Sequence, residues 1–325
     1  MKHCLLVIPR HFYSFEKHIT TALELKGYQV TVSNDEYPRG TMGKILGKLQ
    51  IPLVFSLTCN YIKTHFLKDR AYDLVLIFKG RGMSKRLLQE MKKSAGWIVG
   101  YNWDSFILNR APLKWLQLTS RYCTFDYRDA DRHSLPLLEL FTSGAAIEKK
   151  EIKYEISAIV RNHSKRLSYV DKVLTILKPQ TSYIYIYEHS LITFLYNFIR
   201  CPKLYLKYRR HIHFKALKYD EYSSAIMKSE FTVDFAHYTQ TGITMRCFEA
   251  ASLQTKLITN NPFIVKSDHF SASDYLLFQI KEDASVLYDA YTRTKKEKMT
   301  AKTRGIDRFL EELIGQTDEK KPRIC

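Results

Sequence analysis

Short, continuous apolar runs alternate with helix-spaced segments from the first residues onward. KHCLLVIP predicts a buried strand, residues 14–26 follow at helical spacing, and Gly27 supplies the stop signal. YQVTVS predicts a second strand. Residues 42–70 read as mostly helical, interrupted near Pro52. YDLVLIFKG and GWIVGYNWD predict further apolar strands, separated by a helix over 84–94 that Ser84 opens. A strand around Tyr122–Phe125 and a turn-rich stretch, RDADRHSLP, close this half.

The charged segment Thr142–Lys153 carries no strong pattern and marks a domain boundary. The alternation then restarts. Strands are expected at KYEISAIV, SYIYIYE, EFTVDFA and KLITNN, with HIHFKAL as an edge strand. Helices are expected over 164–178, 190–200, 219–229, 243–253 and 284–314. Continuous apolar strands separated by helices are the mark of parallel sheets covered on both faces. The expected architecture is therefore α/β. It consists of two Rossmann-like domains, 1–150 and 151–325, with parallel sheets facing a central cleft and a C-terminal helix in the second domain.

Composition narrows the class. Of 325 residues, 45% are apolar and 13% aromatic, with only 12 Gly and 9 Pro, which excludes a largely disordered or low-complexity chain. The 51 Lys and Arg against 33 Asp and Glu leave a net charge of +18, so an anionic partner is expected. Residues 200–218 hold seven Lys or Arg and no acid, interleaved with Tyr205, Tyr208 and Phe214, and read as a phosphate-facing patch. Residues 42–70 mix Lys44, Lys48, Lys63, Lys68 and Arg70 with Ile45, Leu46, Leu49, Leu53, Phe55 and Phe66 and read as a basic amphipathic surface for anionic lipid. Each segment taken alone reads slightly better as a solvated helical face. No RNP, zinc-finger or bZIP-like signature supports nucleic acid. The six cysteines form no C-x-x-C pair, and no Cys/His group has zinc-ligand spacing; a reducing cytosol is the expected compartment. No apolar stretch reaches the ~18 residues of a membrane span.

The densest chemistry lies in FTVDFAHYTQTGITMRCFEAASLQTKLITNN, residues 231–261. A strand ends near Ala236, a polar turn follows, and a helix begins around Ile243. Free backbone N–H groups at a helix start, beyond the carboxyl end of a parallel strand, favour an anion. Gly242 permits close backbone approach, and Thr241 or Thr244 offers a hydroxyl. Glu249, about two turns into the helix, has the chemistry to take ribose hydroxyls. On spacing alone, an ordinary capped helix with a surface Glu fits as well.

This segment resembles that of bacterial GT-B-fold glycosyltransferases of lipopolysaccharide and capsular polysaccharide synthesis, D-x-x-H-x-x-Q-T-G-L-T-M-R-x-x-E-A-L-G followed by K-L-I-T-x-N. The match takes in Asp234, His237, Gln240, Thr241, Gly242, Thr244, Met245, Arg246, Glu249 and Ala250, then Lys256, Leu257, Ile258, Thr259 and Asn261. YDLVLIFKG, GYNWDS, TFDYRDADRHSLPLLELF and ISAIVRNHSKR resemble further elements of that family. Two departures stand out: Ala251-Ser252 replaces Leu-Gly after Glu-Ala, and Tyr238-Thr239 replaces the usual Pro-Gly before Gln-Thr-Gly.

The resemblance implies a nucleotide-sugar donor on the C-terminal domain and an acceptor on the N-terminal one. Gln240, Thr241, Gly242 and Thr244 would hold donor phosphates and Glu249 the ribose, with His237 and Arg246 in the same motif and His163 and Arg166 assisting with phosphate charge. A leaving nucleotide departs as an anion, so groups that stabilise negative charge carry most of the catalysis. The acceptor hydroxyl needs a base, and Asp104 is the candidate, although an N-cap for 105–109 is the stronger of its two readings. Asp129 and Asp131 have metal-ligand spacing but fall in the turn-rich segment, so no essential metal and no cofactor beyond the nucleotide-sugar substrate is expected. The expected acceptor is a saccharide on a lipid carrier or lipopolysaccharide. The expected location is the inner face of the cytoplasmic membrane, on anionic lipid, with no nucleic acid as partner. Two rivals remain. One is a polyol-phosphate transferase of the same fold; the other is a non-catalytic basic protein that binds nucleic acid.

Overall fold

A computed structural model describes residues 1–9, 15–38, 40–142, 151–162, 165–280 and 282–315. The chain divides into two compact units. The first comprises Met1–Ser143, Thr239–Gly242 and Arg304–Cys325; the second comprises Gly144–Tyr238 and Ile243–Thr303.

The first unit runs β1 (Lys2–Val7), α1 (Phe15–Leu25), β2 (Tyr28–Ser33), α2 (Thr41–Lys48), α3 (Pro52–Ile62) and β3 (Tyr72–Phe78). It continues through α4 (Lys85–Ser94), β4 (Ala95–Asn102), β5 (Arg121–Thr124) and α5 (Tyr127–His133). Its strands form one parallel sheet in the order β2-β1-β3-β4-β5. Local chemistry sets several boundaries. Gly27, at φ +84°, ends α1 where an L side chain would be strained. The Ser84 hydroxyl accepts the Leu87 N–H at 3.3 Å and opens α4. Pro52 stands first in α3, where its missing N–H costs nothing.

In the second unit, β6 (Tyr154–Arg161), α6 (Arg166–Leu177), β7 (Ser182–Tyr187), α7 (Leu191–Arg200), α8 (Pro202–Lys207) and β8 (Ile212–His213) come first. Then follow α9 (Tyr219–Met227), β9 (Ser229–Asp234), α10 (Met245–Ser252), β10 (Lys256–Thr259), β11 (Tyr275–Leu277) and α11 (Ala284–Lys296). The sheet is again parallel, in the order β11-β10-β9-β6-β7-β8. Counted from β6 this is strand order 3-2-1-4-5-6, the doubly wound order of nucleotide-binding folds, with its reversal between β6 and β9. Its core sets Ile156, Val160, Tyr169, Val173, Phe231 and Ile258 against one another.

Three expectations need correction. RDADRHSLP is not all turn, because Tyr127–His133 forms α5, capped by Asp126. Residues 284–314 are not one helix: α11 ends at Lys296, and α12 (Ile306–Ile314) starts after a break. The C-terminal helix also belongs to the first unit, not the second. It buries Phe309, Leu310, Leu313 and Ile314, with Phe309 4.5 Å from Phe141 and 5.1 Å from Tyr101 between ring centroids. The indole N–H of Trp97 donates to the Ile314 carbonyl at 3.1 Å.

Candidate functional site

In a doubly wound sheet, ligands bind beyond the carboxyl ends of the strands at the point where the order reverses. In the second unit that point lies past Arg161 of β6 and Asp234 of β9. The chain following β6 supplies Arg166, the first residue of α6, and the chain following β9 supplies His237. Partial burial holds the His237 imidazole below its ordinary pKa, and the charge of Arg166 adds to the shift. Both residues thus lie on the chain just past the two strands that flank the switch point. His163 lies outside the described residues.

The loop after β9 leads into α10, and Asp234 fastens the junction. Its buried carboxylate accepts the Thr244 hydroxyl at 2.7 Å and the Thr259 hydroxyl at 3.2 Å. Thr244 is the residue before the first turn of α10, and no side chain caps that turn. One turn further on, Glu249 accepts a hydrogen bond from the Tyr222 hydroxyl at 2.8 Å. Burial raises the Glu249 carboxyl, while the Tyr222 bond and the Arg246 charge act against the rise. Burial likewise holds the Tyr222 phenol well above its usual range, with the Glu249 charge adding to it. Arg246, Glu249 and Tyr222 thus form one polar cluster on α10 and α9.

The Gln-Thr-Gly segment is built differently from the expectation. Thr239–Gly242 packs with the first unit, and its N–H groups meet an anion that the protein itself supplies. The Asp126 carboxylate accepts the Thr241 N–H at 2.7 Å, the Thr241 hydroxyl at 2.8 Å and the Gly242 N–H at 3.4 Å. The Thr241 hydroxyl in turn accepts the Arg128 N–H at 3.1 Å. Gly242 is required here for close approach, since a Cβ would lie 2.4 Å from the Phe125 ring. Gln240 is half-buried in the same segment.

Asp104 lies just past β4, at the carboxyl edge of the first sheet. No helix follows it: residues 105–109 form a turn, so the N-cap reading does not hold. Its carboxylate forms an ion pair with Lys79 at 2.7 Å, and Lys79 stands just past β3 at φ +64°. Asp129 is on α5, buried, and accepts the Phe106 N–H at 2.6 Å.

Tyr222, Asp126 and Lys79 are the site residues whose partnerships sequence reasoning missed. Tyr222 meets Glu249 across 27 residues and Asp126 meets Thr241 across 115, separations that no local pattern encodes.

No protein-family model matches the sequence, and no curated protein does. Solved structures match in fold. An alpha-glucosyltransferase in complex with UDP and a 13-mer DNA is 12% identical over 91% of each chain, with a TM-score of 0.59. UDP-GlcNAc 2-epimerase from Methanocaldococcus jannaschii is 12% identical over 97% of this chain and 98% of its own, with a TM-score of 0.55. The lipopolysaccharide outer core galactosyltransferase WaaB, in its apo form, is 10% identical over 96% and 98%, with a TM-score of 0.51. The fold class is GT-B-like: two Rossmann-like α/β domains, each on a parallel sheet.

Proposed function

We propose that the protein is a glycosyltransferase. It moves a sugar from a nucleotide-activated donor, bound on the second unit, to a saccharide carried by a lipid or by lipopolysaccharide in bacterial surface-polysaccharide synthesis. One observation carries this reading: Arg166 follows β6, and His237 and the start of α10 follow β9, the two strands that flank the switch point of the second sheet, with the Arg246–Glu249–Tyr222 cluster on α10 and α9. The resemblance over residues 231–261 supports it, as does a fold shared with a lipopolysaccharide galactosyltransferase.

In this reading Arg166 and the uncapped N-terminus of α10 stabilise the departing nucleotide phosphate. Thr244 positions that N-terminus through Asp234. Glu249 takes the ribose hydroxyls, its carboxylate oriented by Tyr222 and countered by Arg246. Thr241 and Gly242 shape the turn through Asp126. Asp104, held beside Lys79, is the proposed base for the acceptor hydroxyl. Met42, Ile45, Leu49 and Leu53 are exposed around α2, which supports a peripheral position on anionic lipid. Among the described residues no helix is long and apolar enough to cross a membrane.

The test is the mass of the product when enzyme, nucleotide sugars and lipid-linked saccharide are combined. An acceptor heavier by one glycosyl residue is expected. A polyol phosphate on the acceptor would assign the enzyme to the rival transferase. An isomerised donor formed without acceptor would make it an epimerase.

A further inference from the structure

Helix α7 presents an apolar face that no described residue of the second unit covers. Leu191, Ile192, Leu195, Tyr196 and Ile199 are between 54% and 80% exposed. Their spacing places them on one arc of the helix. The adjoining side holds Phe194 and Phe198, which pack on Tyr205 at 5.5 and 6.1 Å between ring centroids. Thr193, Phe194, Asn197 and Phe198 are half-buried, so the side of the helix left to water is its apolar arc, which is unusual for an exposed element.

Two further features define what covers it. The helix is already formed, because the Ser190 hydroxyl accepts the Thr193 N–H at 3.2 Å and Thr193 returns a bond to the Ser190 N–H at 3.1 Å. Docking therefore requires no folding step. The chain from the helix onward carries charge of one sign, and the acids beside it are Asp171 and the buried Glu188, which accepts from Asn197 at 3.3 Å. Residues 189–219 contain no Asp or Glu, and Arg200, Lys203, Lys207, Arg209, Arg210, Lys215 and Lys218 all fall within them. Of these, Lys207 is paired with Asp171 at 2.6 Å. The rest of the chain adds to a net +18.

We infer that α7 is the docking element for an anionic lipid surface. Its five exposed apolar side chains enter the headgroup boundary, and the basic stretch from Arg200 to Lys218 meets lipid phosphates. A second copy of this chain is disfavoured as occupant, because each copy would bring the same uncompensated positive charge. Tyr196 suits the boundary: its ring faces out while its hydroxyl accepts from Arg200 at 2.5 Å. The inference deepens the reading above and rests on its membrane-borne acceptor. It is tested without nucleotide, so that the two can fail separately.

The experiment is flotation of the full chain with vesicles of phosphatidylglycerol mixed with phosphatidylethanolamine, and with vesicles of phosphatidylcholine alone. Wild type is expected to float with the anionic vesicles and not with the neutral ones. Ile192→Glu/Ile199→Glu is expected to weaken that binding about tenfold or more. Arg209→Glu/Arg210→Glu is expected to weaken it and to flatten its dependence on salt. Both variants change exposed side chains, and an unaltered melting temperature verifies the fold. Leu191→Asn/Ile199→Asn serves as a second variant should the glutamates disturb the helix. The inference is overturned if the α7 variants float as wild type does, if neutral vesicles bind equally, or if wild type is a dimer that the α7 variants dissociate.

Discussion

The Asp126 carboxylate serves two structures at once. It caps α5 by accepting the N–H groups of Arg128 and Asp129, each at 3.1 Å, and it binds the Thr241–Gly242 backbone. Asp129, three residues on, feels the consequence. Burial raises its carboxyl most, the nearby Asp126 charge adds to the rise, and the Phe106 N–H and Arg132 oppose it; the result is a pKa of about 6. Between the unfolded value of about 4 and that of about 6, the native state keeps a proton that the unfolded chain has released. Native stability therefore falls as pH rises through that window. Asp129→Asn keeps an acceptor for Phe106 and removes the charge. Denaturant unfolding should find it more stable than wild type by about 1–3 kcal/mol at pH 7, with the gap closing toward pH 4. A gap that is constant with pH would show that Asp129 titrates normally.

At the scale of elements, the strands were the legible part. Runs such as YDLVLIFKG and KYEISAIV are apolar because both faces of each sheet are covered, and they appear as β3 and β6. What escaped were pieces whose identity depends on distant partners. The short strand β11 is defined by pairing with β10. The gap between α11 and α12 escaped because charge runs through both and masks the break. Residues 231–261 were legible as a strand-turn-helix, yet their Gln-Thr-Gly turn sits on an aspartate 115 residues away, which spacing cannot reveal. Helix α12 shows the same limit: its apolar stripe is plain, but not which core it fills. Since Phe309 is fully buried against Tyr101 and Phe141, Phe309→Ala should destabilise the first unit by about 3–5 kcal/mol, read from its unfolding midpoint. A cost under about 1 kcal/mol would mean that α12 is not integral to that unit.

At the scale of the whole molecule, the excess of 18 positive charges calls for anionic ligands, and the proposed function makes one of them a nucleotide. Strand order adds what composition lacks, since the reversal between β6 and β9 is where a ligand binds in sheets of this order, and the proposed site for the nucleotide lies there. The most direct measurement is calorimetric titration of wild type and Glu249→Gln with a panel of nucleoside mono- and diphosphates and nucleotide sugars. The account predicts that wild type binds one nucleotide series. It predicts that Glu249→Gln, with its melting temperature retained, binds the same series about tenfold or more weakly through loss of charged hydrogen bonds to the ribose. Binding of no nucleotide by wild type, or equal binding by the folded variant, would contradict it.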